Sequence, residues 1–473
     1  MPKSIVRITN IYIKNFKNVR GGEISFINNR KNFNASILGL YGQNGSGKTA
    51  LIDAIELLKY ALRGMKLPQK YVDYINIDSN SAEIEYTFNI TLDNEEYSAV
   101  YSIKLSKELL QSEGNFEGQV NEKRTYTLKI EKEVLKCQTL QKRMGKIIDT
   151  DSKIPFGPKS KYDLLIGGDK NISAELFLSK MISQKTAQSY IFSRELLEKI
   201  RNNKLEIKDE KNLQELSHYL NIMEALVKYG NLELFIINTS NSGLISLNAQ
   251  PLVFKISGEN KGAYGNIAIP IEEPSVIPED LFKVTSVVID NMNIVLEQIV
   301  SGLTIGIKDL GDQIMEDGVK GKKVEFISNK NSKEIPLRYE SDGIKKIVSI
   351  LQLLVVLYNK KSITVAIDEL DSGVFEYLLG EILRIIAEKG KGQLIFTSHN
   401  LRPLETLDRG FIAFTTTNSE NRYIRLSNVQ ENNNLRDLYY RDILLGSDKD
   451  EVYDLTNNEE IAFAFREAGE AIG

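Results

Sequence analysis

The first hundred residues alternate between apolar and polar positions in a way that predicts strands joined to one helix. Apolar and β-branched residues alternate over 5–16 and again over 22–26, which is the period-two pattern of strands. A third apolar run, residues 36–41, leads into a glycine-rich loop, and apolar residues then recur at helical spacing over 51–62. Further alternating stretches predict two more strands, at 82–90 and 97–105.

Beyond residue 105 the pattern changes twice before helices and strands alternate. Residues 106–160 are lysine-rich and strand-like, residues 174–229 have helical spacing, and prolines precede a helical pattern at 281–299. From 341 to 414 the predicted order is helix, strand, helix, strand, which suits a parallel sheet. Short strands are predicted at 233–238, 252–256, 303–308, 323–328 and 335–339.

The amino-acid composition is that of an ordinary globular protein, and it excludes several kinds of functional site. At 473 residues the chain is too long for one compact core, and its net charge of −4 creates no general attraction to nucleic acid. One cysteine, Cys137, excludes an intrachain disulfide, and two histidines, His218 and His399, exclude a histidine-cluster metal site. No secretory segment or apolar run of about 18 residues is present, so we expect a soluble, cytoplasmic protein.

The glycine-rich loop carries the strongest chemical signal. It fits the pattern G-x-x-x-x-G-K-[ST], in which glycines let successive backbone N–H groups point at phosphates. The lysine would reach the β- and γ-phosphates, the threonine hydroxyl would ligate Mg²⁺, and the following helix would add its positive end. A chance glycine turn is the alternative, and the flanking strand and helix disfavour it. The loop is Gly42, Gln43, Asn44, Gly45, Ser46, Gly47, Lys48 and Thr49.

A second signal is a buried-type strand, residues 363–367, that ends in Asp368 and Glu369. Beside a phosphate loop, Asp368 would hold Mg²⁺ and Glu369 would accept a proton from the attacking water. His399 ends the next predicted strand and therefore meets the same sheet edge, where it would contact the γ-phosphate or the water. The alternatives are a solvated strand end and a structural histidine. His218 has no such placement, and we interpret it as structural.

The helix that precedes this strand begins with Ser341, Asp342 and Gly343. Serine and aspartate commonly cap helices, so an ordinary N-cap is one interpretation. The other is a Ser-x-Gly turn whose helix N-terminus binds an anion. Its position, 27 residues before Asp368, favours the second.

With this turn the sequence resembles ABC-type, AAA-family ATPases of the SMC, RecF and OLD groups. The opening strand at 11–17, the loop spelling at 44–49 and the segment 370–373, which resembles a D-loop, agree. The resemblance implies Mg-ATP as cofactor, Lys48, Glu369 and His399 as catalytic residues, and Thr49 and Asp368 as metal ligands. It further implies a dimer in which Ser341, Gly343 and Asp371 help to form the nucleotide site. No Q-loop glutamine is evident, and Gln69 is the only nearby candidate.

The same resemblance implies an α/β P-loop fold with a mixed or parallel core sheet, flanking helices, an antiparallel β lobe and a mixed α+β insert. We expect residues 1–105 to form the N-terminal lobe of the head, 106–300 an insert that meets a partner, and 301–473 the C-terminal lobe. The distance of 293 residues between Lys48 and Ser341 disfavours a transporter ATPase. Missing heptads disfavour a long coiled coil. The 74 residues that follow His399 lack the Glu…Asp-x-Asp constellation at buried strand ends that the Toprim nuclease of OLD proteins would need.

Within this group the chain is most similar to ATPase subunits of two-gene bacterial anti-phage modules of the Septu, PARIS and abortive-infection type. Residues 395–402 and 434–439 carry that similarity. It implies a homo-oligomer that controls a separate nuclease or toxin, with DNA or a phage protein as possible trigger and no membrane partner. The loop containing Asp448 and Asp450 is interpreted as solvated surface.

Two alternatives stay open at this point. One is a RecF- or SMC-like repair ATPase that clamps DNA, with a lysine-rich surface in residues 132–161 as the phosphate-binding face. The other is a scaffold with an inactive ATP site, which the presence of Lys48, Asp368, Glu369 and His399 disfavours. A solvated lysine face, interleaved with acidic residues, is the simpler interpretation of the 132–161 segment.

Overall fold

The computed structural model describes residues 4–28, 30, 33–112, 124–167, 170–238, 249–258, 261–271, 273–315, 318, 320–331, 333–425, 434–445, 451–453 and 457–470. The strands are β1 (Ser4–Phe16), β2 (Val19–Ser25), β3 (Ser36–Tyr41), β4 (Ser81–Leu92), β5 (Glu95–Ser112), β6 (Arg124–Gln138), β7 (Met144–Asp149), β8 (Leu234–Ile237), β9 (Ala249–Gly258), β10 (Lys261–Pro270), β11 (Ser275–Pro278), β12 (Leu303–Ile314), β13 (Lys320–Lys330), β14 (Lys333–Pro336), β15 (Thr364–Ile367), β16 (Gln393–Thr397), β17 (Ile412–Thr415) and β18 (Tyr423–Ile424). The α-helices are α1 (Lys48–Leu62), α2 (Lys159–Ile166), α3 (Lys170–Lys185), α4 (Arg194–Glu206), α5 (Glu210–Lys228), α6 (Glu279–Ile299), α7 (Asp342–Asn359), α8 (Glu376–Lys389), α9 (Pro403–Thr406), α10 (Leu435–Leu445) and α11 (Asn458–Glu470).

The core sheet explains why polar residues gather at one edge. Its order is β18-β17-β3-β16-β15-β8, and every neighbouring pair is parallel except β17 with β18. Strands β15 and β16 are buried along their whole length, as expected for a sheet covered on both faces. Helix α8 crosses between them, so both strands run in one direction and end at the same edge. That edge is also where β3 passes into the phosphate loop.

The second sheet is antiparallel, with order β2-β1-β4-β5-β6-β7, and it packs over α1. Strand β4 alternates buried and partly exposed residues, because one face meets the helix and the other meets solvent. Tyr86 on its buried face donates a hydrogen bond to the Ala54 carbonyl at 2.6 Å. Lys17, just after β1, pairs with the fully buried Asp53 of α1. The helix that follows the phosphate loop is therefore held against this sheet by apolar packing and an ion pair.

Two smaller sheets complete the described strands: β11-β13-β12 with β14 on β13, and the β9–β10 hairpin. Apolar residues of the first of these sheets pack with α6, α7 and the core sheet in a second hydrophobic cluster. Among the described residues no helix combines the length and apolarity needed to cross a membrane.

The structure confirms most predicted elements and corrects one. The strand predicted at 335–339 is wrong beyond Pro336, where β14 ends and Leu337–Tyr339 forms a 3-10 turn. The helical spacing predicted over 174–229 belongs to three helices, α3 to α5, because Ser193 and Asp209 each cap a new helix with their side chains.

The fold class is confirmed as an α/β P-loop fold with a parallel core and an antiparallel lobe. The predicted boundary at residue 105 lies inside β5, whose partners β6 and β7 extend the same sheet. From the same predicted insert, β8 pairs with β15 of the core. The 106–300 segment thus shares strands with both sheets of the head. The Asp448–Asp450 loop lies outside the described residues.

Candidate functional site

The phosphate loop joins the end of β3 to the start of α1, and its backbone needs glycine. Gly42, Gly45 and Gly47 have φ of 151°, 76° and 96°, in the region that side chains disfavour. A Cβ on Gly42 would lie 1.7 Å from Thr415 Oγ1, so this position has no space for one. The buried ammonium of Lys48 donates to the carbonyls of Gly42 at 2.7 Å and Gln43 at 2.9 Å. The loop is a closed turn with its lysine folded against it.

Residues from two other strands hold this loop in place. Ser46 hydrogen-bonds Thr415 at the end of β17, and Asn18 after β1 donates to the Gly45 carbonyl. Tyr423 of β18 donates to the Gly47 carbonyl at 3.0 Å. Because each contact joins residues more than 25 positions apart, the loop conformation depends on both sheets.

The acidic end of β15 is positioned by its neighbour β16. The Thr397 hydroxyl donates to Asp368 Oδ1, and the Thr397 Oγ1 oxygen accepts the Glu369 backbone N–H at 2.8 Å. Asp368 is only 1% exposed, whereas Glu369 is partly exposed and has a φ of 47°. A left-handed backbone at a residue other than glycine turns the chain sharply. This turn separates the directions in which the two carboxylates leave the strand.

Asp371 connects that turn to the end of β16. Its Oδ2 accepts the backbone N–H groups of His399 at 3.0 Å and Asn400 at 2.9 Å. The His399 side chain is exposed at the sheet edge. Partial desolvation of the imidazole by the surrounding sheet edge and the nearby Lys48 charge lower the pKa of His399, and the Asp371 carboxylate opposes them. The imidazole is therefore biased toward its neutral form.

Charge interactions show that these groups face one another. Burial lowers the pKa of Lys48, while the carboxylates of Asp368, Glu369 and Asp371 raise it. The same three carboxylates act on His399. The phosphate loop, the acidic strand end and His399 therefore share one compact, mixed-charge edge.

The Ser341-x-Gly343 turn starts α7, and its glycine makes an intrachain contact that the sequence did not predict. Ser341 caps the helix, its hydroxyl accepting the Ile344 N–H at 3.4 Å. A Cβ on Gly343 would lie 2.2 Å from the carbonyl oxygen of Gly373, which itself has a φ of 75°. Glycine is required here because α7 begins against the loop that follows Glu369 and Asp371.

The sequence profile of one protein family matches residues 37–405, more than three-quarters of the chain, and spans the loop, the Ser-x-Gly turn and the acidic strand. That family is described as "AAA domain, putative AbiEii toxin, Type IV TA system". The chain belongs to this AAA-domain family. It is accordingly a P-loop ATPase, a class whose members bind ATP, usually with Mg²⁺. No curated protein sequence matches the chain significantly.

Several solved structures are similar to this AAA-domain protein at low identity. The SMC head bound to the C-terminal winged-helix domain of ScpA is 13% identical, with 89% of this chain and 98% of that chain covered and a TM-score of 0.42. A Pyrococcus yayanosii Smc head with a coiled coil and joint is 11% identical, with 89% and 98% covered and a TM-score of 0.39. The recombination mediator RecF with ATP is 16% identical, with 84% and 94% covered and a TM-score of 0.31. TM-scores below 0.5 are too low to support inferences about this chain.

The AAA-domain site also contains residues that sequence reasoning missed. Asn238 follows β8 directly, next to Asp368 at the same edge, and donates to Glu56 of α1 at 3.1 Å. Thr397 was part of a predicted strand, but its hydrogen bonds to the Asp368 carboxylate and to the Glu369 backbone N–H needed the register of β15 and β16. Gln69 lies elsewhere, because its side chain donates to the Tyr126 carbonyl of β6 at 2.8 Å.

The donor set fits a magnesium ion that is shared with a nucleotide. Among the described residues no group of three or more acidic, histidine or cysteine side chains could hold a metal alone. Mg²⁺ bound with ATP takes most ligands from phosphates and water, plus one or two protein oxygens. Thr49 begins α1 beside Lys48, and the nearly buried Asp368 faces the same loop. These two residues supply a hydroxyl and a carboxylate of the kind that Mg²⁺ prefers.

Proposed function

We propose that this AAA-domain protein hydrolyses Mg-ATP with Glu369 as general base. The observation that carries the proposal is the shared edge, where Lys48 and His399 lie within the electrostatic reach of Asp368, Glu369 and Asp371. Phosphoryl transfer depends mainly on positioning and on stabilising charge, and this edge offers both signs of charge around one loop.

Each residue has a role that its surroundings support. The loop N–H groups and Lys48 would bind the phosphates. The Lys48 ammonium would then exchange its hydrogen bonds to the Gly42 and Gln43 carbonyls for bonds to phosphate oxygens. Thr49 and Asp368 would hold Mg²⁺, which neutralises charge that develops on the phosphates. Glu369, more exposed than Asp368, would accept the proton of the attacking water. A neutral His399 would hydrogen-bond the γ-phosphate or that water.

Steady-state phosphate release by the purified chain with Mg-ATP tests this activity. Wild-type protein should turn over ATP, and Lys48→Ala should lose nucleotide binding and turnover. Lys66→Ala, a change of the same size at an exposed lysine just beyond α1, is the matched control and should behave as wild type. ATP turnover by Lys48→Ala at the wild-type rate would show that the phosphate loop is not the site.

We further propose that two copies complete each other's sites. Ser341 and Gly343 begin α7, and helix N-termini with free N–H groups favour anions. Closed two-fold pairing would bring this turn of one copy to the nucleotide of the other. The Asp371 loop packs against the same turn through Gly343 and Gly373, so the two would approach a partner together.

The biological role that we propose is control of a separate nuclease or toxin in bacterial defence against phage. The family description names an AbiEii toxin and a type IV TA system, which supports a role of this class. The test is to express the gene with and without its genomic neighbour and to challenge the cells with phage. Protection that requires both genes, and that Glu369→Gln abolishes, would support the role. Equal phage yield with and without the pair would reject it.

The ion pairs of the 132–161 segment support a solvated lysine face over a DNA clamp. Six lysines of this segment pair with carboxylates of the same chain, which reduces their net attraction for phosphates. The pairs are Lys132 with Asp149 and Asp151, Lys136 with Glu85, Lys142 with Glu95, Lys146 with Asp149, Lys159 with Asp163, and Lys161 with Glu215. These pairs favour the interpretation of residues 132–161 as a surface on which positive and negative charges balance.

A further inference from the structure

Lys346 lies in the second turn of α7, and its side chain is buried. It is 1% exposed, and its ammonium makes no hydrogen bond to any described residue. The neighbouring Lys345 differs, because its ammonium pairs with Asp342 at 3.0 Å. Burying an ammonium group without a partner is costly, since the lost hydration is not replaced. A helix position that would accept methionine or leucine instead carries a charge, which indicates a function for that charge.

The groups that attract this ammonium identify its place. Burial lowers the pKa of Lys346, and the carboxylates of Glu369, Asp368 and Asp371 oppose that effect, with Glu369 the largest of the three. The buried ammonium of Lys346 therefore lies within electrostatic reach of the acidic end of β15. The same three carboxylates act on Lys48 of the phosphate loop.

The start of α7 is fixed to the loop that carries these carboxylates. Gly343 and Gly373 are in such close contact that a Cβ on Gly343 would overlap the Gly373 carbonyl. Only three residues separate Gly373 from Glu369 along the chain. Ser341, Lys346 and Glu369 thus belong to one packed unit, in which a shift of the helix start displaces the ammonium relative to the carboxylate.

We propose that Lys346 is a positioning residue that orients the Glu369 carboxylate for proton acceptance and couples that orientation to the Ser341–Gly343 turn. This inference rests on the proposed ATPase function. It extends that function by giving the helix an intrachain connection to the base. Contacts that a second copy makes with the turn would reach Glu369 through Lys346. A second copy can shift the protein between two conformations only if it makes different contacts with each of them. The connection through Lys346 would pass such a difference from the turn to Glu369 and so alter turnover.

Replacement of Lys346 by methionine separates this role from a structural one. Lys346→Met fills the same space without the charge, so resistance to urea unfolding should rise, as when buried charges are replaced by apolar residues. Turnover should nevertheless fall by about tenfold to a hundredfold, the scale of a misplaced catalytic group, with ATP affinity nearly unchanged. Lys346→Arg should recover part of the turnover. Lys360→Met, at the exposed far end of α7, is the matched control and should leave turnover unchanged.

Combination with Glu369→Gln tests whether Lys346 acts through Glu369. If it does, the double variant should be no slower than Glu369→Gln alone, because the group that Lys346 orients is already gone. A further fall by the full factor of the single variant would overturn the inference. So would wild-type turnover of Lys346→Met, or a loss of stability together with ATP binding, which would mark Lys346 as structural. Absence of turnover in the wild-type protein would instead reject the proposed function on which the inference rests.

Discussion

At the scale of single residues, the chemistry of the site depends on what each neighbour does to a charge. Asp368 is buried and accepts a hydrogen bond from Thr397, which suits a fixed metal ligand. Glu369 follows it immediately, but its left-handed backbone directs it differently and leaves it partly exposed. Two adjacent carboxylates can therefore have different roles, because their surroundings differ.

Glu369→Gln should retain ATP binding while turnover falls by roughly 10²–10⁴, the usual scale for loss of a positioned base. Glutamine has the same shape as glutamate and should tolerate the same backbone conformation. Equilibrium nucleotide binding and phosphate release are the measurements. Glu376→Gln, at an exposed glutamate that begins α8, is the control. Wild-type turnover in Glu369→Gln would remove this residue from the mechanism.

His218, interpreted from sequence as structural, is buried in contact with the Tyr97 ring, with centroids 4.5 Å apart. Its Nε2 lies 2.8 Å from the Gln138 carbonyl oxygen. Burial lowers the pKa of His218, and that carbonyl opposes the effect. In the unfolded chain a histidine has its ordinary pKa of about 6.5, so the unfolded state takes up the proton first as pH falls.

His218 should therefore make the folded protein less stable as pH falls from 7 through about 6.5 toward its lowered folded-state pKa. Urea unfolding of wild type and His218→Gln at pH 7.5 and at about pH 5.5 checks this, since glutamine does not titrate in this range. The pH-dependent loss should be smaller in the variant. Equal losses in the two proteins would contradict the prediction, because other groups contribute equally to both.

At the scale of elements, the start of α7 and the turn after β15 form one joint. Helix α7 begins with the Ser341 cap. Its Gly343 then lies so close to Gly373 that a Cβ on Gly343 would overlap the Gly373 carbonyl oxygen. The Asp371 carboxylate holds the end of β16 to the same turn. A helix start, a strand end and a loop therefore keep a common geometry.

Gly343→Ala should destabilise the fold by about 1–3 kcal/mol, the usual cost of a forced overlap in a packed site. Because the displaced turn includes Asp371, ATP turnover should fall as well. Gly145→Ala, where a Cβ would meet no atom within 4 Å, is the control. Urea unfolding and phosphate release are the measurements. Unchanged stability and turnover in Gly343→Ala would show that the joint is not needed.

At the scale of the whole molecule, two sheets of different kinds meet around α1. The parallel core directs its strand ends to the phosphate loop, and the antiparallel sheet packs over the helix that leaves that loop. The Lys17–Asp53 ion pair joins the antiparallel sheet to this helix, although burial raises the pKa of Asp53. One nucleotide site per chain and an exposed Ser341 at a helix N-terminus are compatible with pairing of two copies.

ATP should bring two copies together when hydrolysis is blocked. Native mass spectrometry or scattering on Glu369→Gln with Mg-ATP should give at least twice the 53.5 kDa chain mass. Adding Ser341→Asp should prevent this, because aspartate keeps the helix cap but repels the γ-phosphate of the other copy. A strictly monomeric ATP-bound form of Glu369→Gln would defeat the two-copy site.

The sequence by itself identified the residues of the candidate site and the type of most elements. The phosphate loop and the carboxylates after an apolar strand are local patterns, and the 31 residues from Asp368 to His399 fit one crossover of a parallel sheet. Periodicity found the strands and helices because burial of one face imposes it on nearby residues. It did not find the end of β14 at Pro336, where a turn replaces the last predicted strand residues.

The tertiary structure alone decided which residues act on one another across the chain. Thr397 contacts Asp368 only through the register of β15 with β16, and Gly343 meets Gly373 only because α7 packs on that turn. Lysines of the 132–161 segment form ion pairs with carboxylates of distant elements, as Lys136 does with Glu85 and Lys161 with Glu215, as well as with nearby ones. Lys346 looked like any lysine on a helix. Its burial beside three carboxylates follows from the packing of α7 on the core, which no local pattern encodes.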